Sequence, residues 1–144
     1  MDKEGMIIVM ADGNLADHDR VKKAARECHV NHVFTSVYNG SQLMDLLLKK
    51  GVYYTAATVS PDLIIMDIDL PVISGFEVIQ EMKSRDKLKN IPVYFLTDNR
   101  EKENEIKARQ LGASGYFIKP LKYTELQEIV NGICNTNFSK GTIE

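Results

Sequence analysis

Tryptophan is absent from the 144 residues, cysteine occurs twice and proline four times. The cysteines, Cys28 and Cys134, stand far apart with no CxxC spacing. That argues against a disulfide framework or a thiolate metal site and suits reduced thiols buried as small apolar side chains. An excess of positive charge is missing too: 18 Lys and Arg face 20 Asp and Glu, for a net charge of -2. Such a chain has no field to gather phosphate backbones or anionic lipid, so neither nucleic acid nor membrane is expected as a partner. The apolar run Met6–Ala11 holds six residues, too few for a signal peptide or a bilayer span, and the expected location is the cytoplasm. The segment after it, ADGNLAD, has one glycine and fits neither GxGxxG nor GxxxxGK[ST], which argues against a flavin or nucleotide enzyme. His18, His29 and His32 share no metal-ligand spacing with an acid or a cysteine and read as surface or packing residues.

What remains is ordinary globular composition, 44% hydrophobic and 26% charged, of a length that fits one compact domain. Short runs rich in Ile, Val, Phe and Tyr at Met6–Ala11, His32–Val37, Leu63–Met66, Ile91–Leu96 and Gly115–Ile118 read as buried strands. Helical patterns lie between them. Ala16–Cys28 places Val21, Ala24, Ala25 and Cys28 inward, and Ser41–Lys50 groups Leu43, Leu46 and Leu47, with Asn39 or Ser41 as cap and Gly51 beyond its end. Gly75–Lys83 turns Phe76, Ile79 and Met82 inward, and Arg100–Leu111 stops at Gly112. Leu126, Ile129, Val130 and Ile133 form the stripe of a last helix, followed by a short, frayed polar tail over 135–144. The stretch Gly51–Ser60 is a long connection whose two tyrosines pack locally. Alternating strands and amphipathic helices predict a single α/β domain, a flavodoxin-like doubly wound (βα)5 fold with a five-stranded parallel sheet in the order 2-1-3-4-5.

In that architecture, function gathers at the carboxyl ends of the strands. Four polar residues fall there: Asp12, Asp67, Thr97 and Lys119. Charges of this kind make poor core residues. Together they suit phosphoryl transfer: two carboxylates can hold Mg²⁺, a cation that prefers oxygen ligands, and Asp67 can attack phosphorus as a carboxylate nucleophile. Lys119 and the Thr97 hydroxyl can bind the transferred oxygens.

The motifs PDLIIMDIDLP, FLTDN and GASGYFIKP resemble the receiver domains of response regulators in two-component signalling, of the single-domain, chemotaxis-regulator-like kind, over about residues 5–134. The resemblance implies that Asp67 is the phosphoacceptor, Asp12 a direct Mg²⁺ ligand and Asp69 a ligand through its backbone carbonyl. Thr97 becomes the signalling hydroxyl, Lys119 the phosphate-binding lysine and Tyr116 the switch aromatic, with a cis Lys119–Pro120 peptide. It implies a sensor histidine kinase or phosphotransfer protein as donor and a downstream target protein on the face of helix 4, strand 5 and helix 5. The protein would be a monomer or weak dimer. It would be no enzyme in the usual sense, since its chemistry is Mg²⁺-dependent autophosphorylation and autodephosphorylation. The alternative is a receiver-fold module that binds a partner without phosphorylation.

Two departures from the family bear on that choice. The acidic pair usual after strand one is Ala11 and Asp12, so the acid that holds a metal-bound water is missing. Gly13 reads as an extra residue in the same loop, which leaves Asp17, Asp19 or Asn14 as substitutes, although Asp17 and Asp19 also read simply as acids favouring a helix dipole. Asp98 follows Thr97 where a small residue is usual. It either caps helix 4, with Glu101 completing a box-like pattern, or faces the site and alters the lifetime of the phosphorylated form. The charges of REKENEIKAR read as a solvated helix face that can also dock a partner.

Overall fold

The computed structural model describes residues 6–27, 32–53 and 60–142, with side chains described as far as residue 132. Five strands, β1 (Met6–Ala11), β2 (His32–Val37), β3 (Leu63–Met66), β4 (Val93–Thr97) and β5 (Gly115–Ile118), alternate with five helices. The helices are α1 (Leu15–Arg26), α2 (Gly40–Leu48), α3 (Gly75–Lys83), α4 (Lys102–Gln110) and α5 (Tyr123–Thr142). Every strand pairing is parallel and the sheet order is β2-β1-β3-β4-β5, as the alternation of patterns predicts.

Successive residues on a strand face opposite sides of the sheet. Val9, Ala11, Ile64, Met66, Val93 and Phe95 therefore join the core beneath α2 and α3, while Met6, Ile8, Met10, Leu63, Ile65 and Leu96 join the core beneath α1 and α5. Both faces are covered, which is why these strands read as continuous apolar runs. Most predicted inward residues are where the patterns put them: Val21, Ala24 and Ala25, Leu43 and Leu47, Ile79 and Met82, and Leu126, Ile129 and Val130 are all buried, while Leu46 and Phe76 are only partly buried and pack against the edge of the core. Strand order reverses at β1, with β2 added on one side of it and β3 on the other, so the carboxyl ends of β1 and β3 flank the crevice where such folds bind ligands.

Several boundaries move for local reasons. β4 begins at Val93 rather than Ile91, because Pro92 has no N–H to give a ladder, although its carbonyl accepts from Ile64 at 2.9 Å. Asn39 is the cap of α2, its side chain accepting from Gln42 N–H, and the helix closes on Lys49 in the left-handed region, with Gly51 at φ 59 just beyond. The polar segment after residue 134 does not fray at once: α5 runs to Thr142, since adding residues to a packed helix costs less than starting one and no proline interrupts it. Tyr53 packs against the core under α2. Cys28, His29, Tyr54 and the side chains of Ile133 and Cys134 lie outside the described residues. Among the described residues no helix is long and apolar enough to cross a membrane.

The start of α3 fixes the floor of the crevice. Ser74 and Glu77 form a reciprocal capping box, and Gly75 N–H donates to the Ile68 carbonyl at 2.9 Å. A Cβ on Gly75 would stand 2.5 Å from the Asp67 carbonyl oxygen and 2.9 Å from the Phe95 ring. Overpacking of this kind costs about 1–3 kcal/mol, so Gly75→Ala is expected to lower the urea unfolding free energy by that amount. A midpoint equal to the parent's contradicts the close approach.

Candidate functional site

Asp12 directly follows β1 and Asp67 directly follows β3, so both side chains leave the sheet at its carboxyl edge. Asp12 is held by its own loop. Its Oδ1 accepts from Asn14 N–H at 2.8 Å, a local turn typical of Asp, and Asn14 in turn caps α1 by accepting from Asp17 N–H at 3.1 Å. Asp67 Oδ1 accepts from Asp69 N–H at 3.1 Å, which leaves Oδ2 turned toward the crevice. Asp69 itself is exposed.

Lys119, just past β5, closes the site from the other side. Its Nζ lies 2.8 Å from Asp12 Oδ2, 2.9 Å from Asp67 Oδ2 and 2.7 Å from Asp17 Oδ2. None of the four side chains is more than 12% accessible. Asp12 Oδ2 is fully buried and among the described residues makes no hydrogen bond of good direction, so its close charge contact with Nζ is what satisfies it. Burial drives the Asp12 carboxyl above its ordinary pKa against the pull of Lys119 and Asn14. Burial would lower the Lys119 pKa, but the close contacts with Asp12, Asp17 and Asp67 outweigh it and the net shift is upward. The Lys119–Pro120 peptide is cis.

Thr97 is fully buried, and its Oγ1 accepts from Asn99 N–H at 3.3 Å. The Tyr116 hydroxyl donates to the Asn99 carbonyl at 2.8 Å. Asn99 is thus gripped through both of its main-chain groups, one by a site residue and one by β5. Its side chain accepts from Glu101 N–H at 3.0 Å, the residue from which α4 starts.

The comparisons with known proteins agree with this arrangement. The family model for the response regulator receiver domain matches residues 8–131. The chain belongs to the response regulator receiver family. Response regulator Rcp1 of Synechocystis sp. is 28% identical over 127 residues, covering 88% of this chain and 85% of that protein. The polar-differentiation response regulator DivK of Brucella anthropi is 41% identical over 70 residues, covering 49% of this chain and 57% of DivK. Among solved structures, the phosphorylated cyanobacterial phytochrome response regulator RcpA superposes with a TM-score of 0.77 at 32% identity, covering 90% of this chain and 91% of that one. The Mn²⁺-bound form of Rcp1 superposes with a TM-score of 0.76 at 28% identity, covering 89% and 91%.

Within this receiver domain the structure brings Asp12, Asp67 and Lys119 into direct contact and sets Thr97 and Tyr116 on one neighbouring loop. Of the three substitutes for the missing acid, Asp17 enters the site, Asn14 caps α1 and Asp19 is exposed. The buried Asp17 is thus more than a helix-dipole acid. Asp98 does not cap α4: the helix starts at Lys102, two residues later than predicted, so Glu101 takes the cap position and Asp98 stays exposed on the loop before it. His18 has the packing role expected of it. Its buried ring lies 4.8 Å from Tyr38, and Nε2–H donates to the Asp12 carbonyl at 2.7 Å, pinning the loop that carries Asp12.

The donors fit a hard cation. They are carboxylate oxygens, the ammonium already stands among them as a positive charge, and the buried Asp12 Oδ2 has a charge contact but no well-directed hydrogen bond. Among the described residues no three His, Cys, Asp or Glu side chains are spaced to hold a metal by themselves, so main-chain and water oxygens have to complete any shell.

Removing one partner of a buried ion pair costs about 3–5 kcal/mol because the remaining charge is left uncompensated. Lys119→Ala is expected to lose stability on that scale at neutral pH, with the loss shrinking as pH falls into the carboxylate range and the stranded acids take up protons. In the parent, the raised Lys119 pKa makes its contribution complete at neutral pH, to be lost only at alkaline pH. Urea unfolding across pH checks both; a loss independent of pH contradicts the electrostatic account.

Proposed function

We propose that this receiver domain is a phosphoacceptor switch: Asp67 takes a phosphoryl group from a histidine kinase or phosphotransfer protein, and the signal passes on through altered protein contacts. The observation that carries the reading is the state of Asp67. Its Oδ1 is fixed by Asp69 N–H and its Oδ2 is 2.9 Å from the Lys119 ammonium, so both oxygens of the carboxyl group are oriented within the crevice.

In the transfer, an Asp67 oxygen attacks phosphorus as the donor's phosphorus–nitrogen bond breaks. The leaving imidazole takes up a proton and the product is an acyl phosphate. Lys119 exchanges its contact with Asp67 for one with a phosphoryl oxygen, so its charge follows the charge being transferred. Thr97 Oγ1 already accepts from Asn99 N–H, and its own hydrogen is free to donate to the same group. The reverse of the signal is attack of water on phosphorus, which releases inorganic phosphate and restores the carboxylate.

Mg²⁺, when bound, offsets phosphoryl charge, and Asp12, Asp67 and the Asp69 backbone carbonyl are the residues that would hold it. Turning Thr97 toward a phosphoryl oxygen alters its hold on Asn99, and Tyr116 and α4 share that residue. The change therefore reaches α4 first. α4 buries only Ala108 and leaves Ile106 47% exposed, which leaves a face with α5 and β5 for a target protein. The chain turns over no external substrate on this reading, and it acts in the cytoplasm with the kinases that phosphorylate histidine. Phytochrome response regulators are among the similar structures, so a phytochrome-type histidine kinase is the donor class to which that likeness points.

Intact mass after incubation with acetyl phosphate over a Mg²⁺ titration tests the reading. A Mg²⁺-dependent phosphate adduct is expected in the parent and none in a folded Asp67→Asn control. An adduct absent from the parent at every Mg²⁺ level overturns the reading in favour of a module that binds its partner without phosphorylation, the outcome that Ala11 favours.

A further inference from the structure

We propose that Asp17 is a positioning residue of the cation site, supplying from α1 the third carboxylate that is missing at Ala11. The inference rests on the phosphoacceptor reading and extends it. Ala11 ends β1 wholly buried among apolar side chains under α2 and α3, so no acid stands there. Six residues further on, Asp17 lies in the first turn of α1, where an acid that served only the helix dipole would stay in water. Its side chain is instead 9% accessible, buried together with the adjacent His18, while Ala16 and Asp19 on either side of the pair are exposed.

What buries Asp17 is the site. Oδ2 lies 2.7 Å from Lys119 Nζ, the shortest of that ammonium's three carboxylate contacts, and Oδ1 is held at 2.8 Å by Arg20 from the next turn of the helix. Nζ therefore marks a position where oxygens from the β1–α1 loop, α1 and the end of β3 converge on one positive charge. The local sequence explains the aim. Asn14, as cap, starts the helix at Leu15 and receives Asp17 N–H, while Asn14 N–H binds Asp12 Oδ1, so one loop sets both carboxylates. Among the described residues no three acids are spaced to enclose a metal directly. Asp17 acts one layer out: once Lys119 turns to a phosphoryl group, Oδ2 is released to accept a hydrogen bond from a metal-bound water and hold it in place.

The test is calorimetric titration of the metal-free protein with MgCl₂, comparing the parent with Asp17→Asn and Asp19→Asn. Loss of a partner that orients a ligand weakens metal binding by about 10 to 100-fold, the drop expected for Asp17→Asn. Asp19→Asn removes the same charge from the same helix at an exposed position and is expected to leave affinity nearly unchanged. Equal affinities in parent and Asp17→Asn, or equal losses in the two variants, overturn the proposal. If Asp17→Asn does not fold, carboxylate ¹³C signals of the parent followed through the same titration decide it. Asp17 is expected to shift with the midpoint of Asp12 and Asp67, and a silent Asp17 overturns the proposal while leaving the phosphoacceptor reading intact. A parent that binds no Mg²⁺ overturns both.

Discussion

A single ammonium shared by three nearly buried carboxylates is the constraint on which the site depends. Each carboxylate alone would be expensive to remove from water, and three together would repel. Lys119 makes the arrangement tolerable, reaching Asp12, Asp17 and Asp67 at 2.7–2.9 Å. The balance is incomplete: one lysine faces three acids, and the exposed Arg20 reaches only Asp17. A site built this way attracts a further cation, and it surrenders its lysine readily to an incoming group that carries more negative charge than a carboxylate.

The fold makes that balance possible by bringing distant parts of the chain to one edge. Parallel strands with helical crossovers place Asp12, Asp67, Thr97 and Lys119 at neighbouring strand ends although they span more than a hundred positions. The glycine at the start of α3 lets that helix lie against the Asp67 backbone, and His18 fixes the loop bearing Asp12. The charge balance and the output are joined through few atoms. Thr97 and Tyr116 hold opposite main-chain groups of Asn99, and α4 begins three residues later. A rearrangement at the phosphoacceptor is thereby transmitted through a discrete hydrogen bond rather than through general loosening.

The fold and most of the site were legible because they rest on strong, repeated signals. Buried parallel strands appear as bare apolar runs, amphipathic helices as stripes, and strand-end charges as polar residues closing those runs. Asp17 was visible only as one of three alternatives beside the missing acid. Position in a first helical turn does not reveal whether a carboxylate faces water or turns inward; that depends on Asn14 as the cap and on Lys119 arriving from over a hundred residues away. The capping alternative for Asp98 failed for a similar reason, since α4 starts at Lys102 with Glu101 at its cap, which leaves Asp98 three residues before the cap position. The length of α5 escaped notice because its last turns carry no apolar stripe, and helix extension there follows from the packed segment before it.

The central claim is that Asp67 is held in place beside a displaceable ammonium, to receive a tetrahedral anionic group with the help of a cation. Fluorine NMR of the protein with beryllofluoride, a stable mimic of the acyl phosphate, tests it most directly. The account predicts a protein-bound fluorine resonance that requires Mg²⁺ and disappears in a folded Asp67→Asn variant. A folded parent that shows no bound resonance, or a resonance that persists without Asp67, would contradict it.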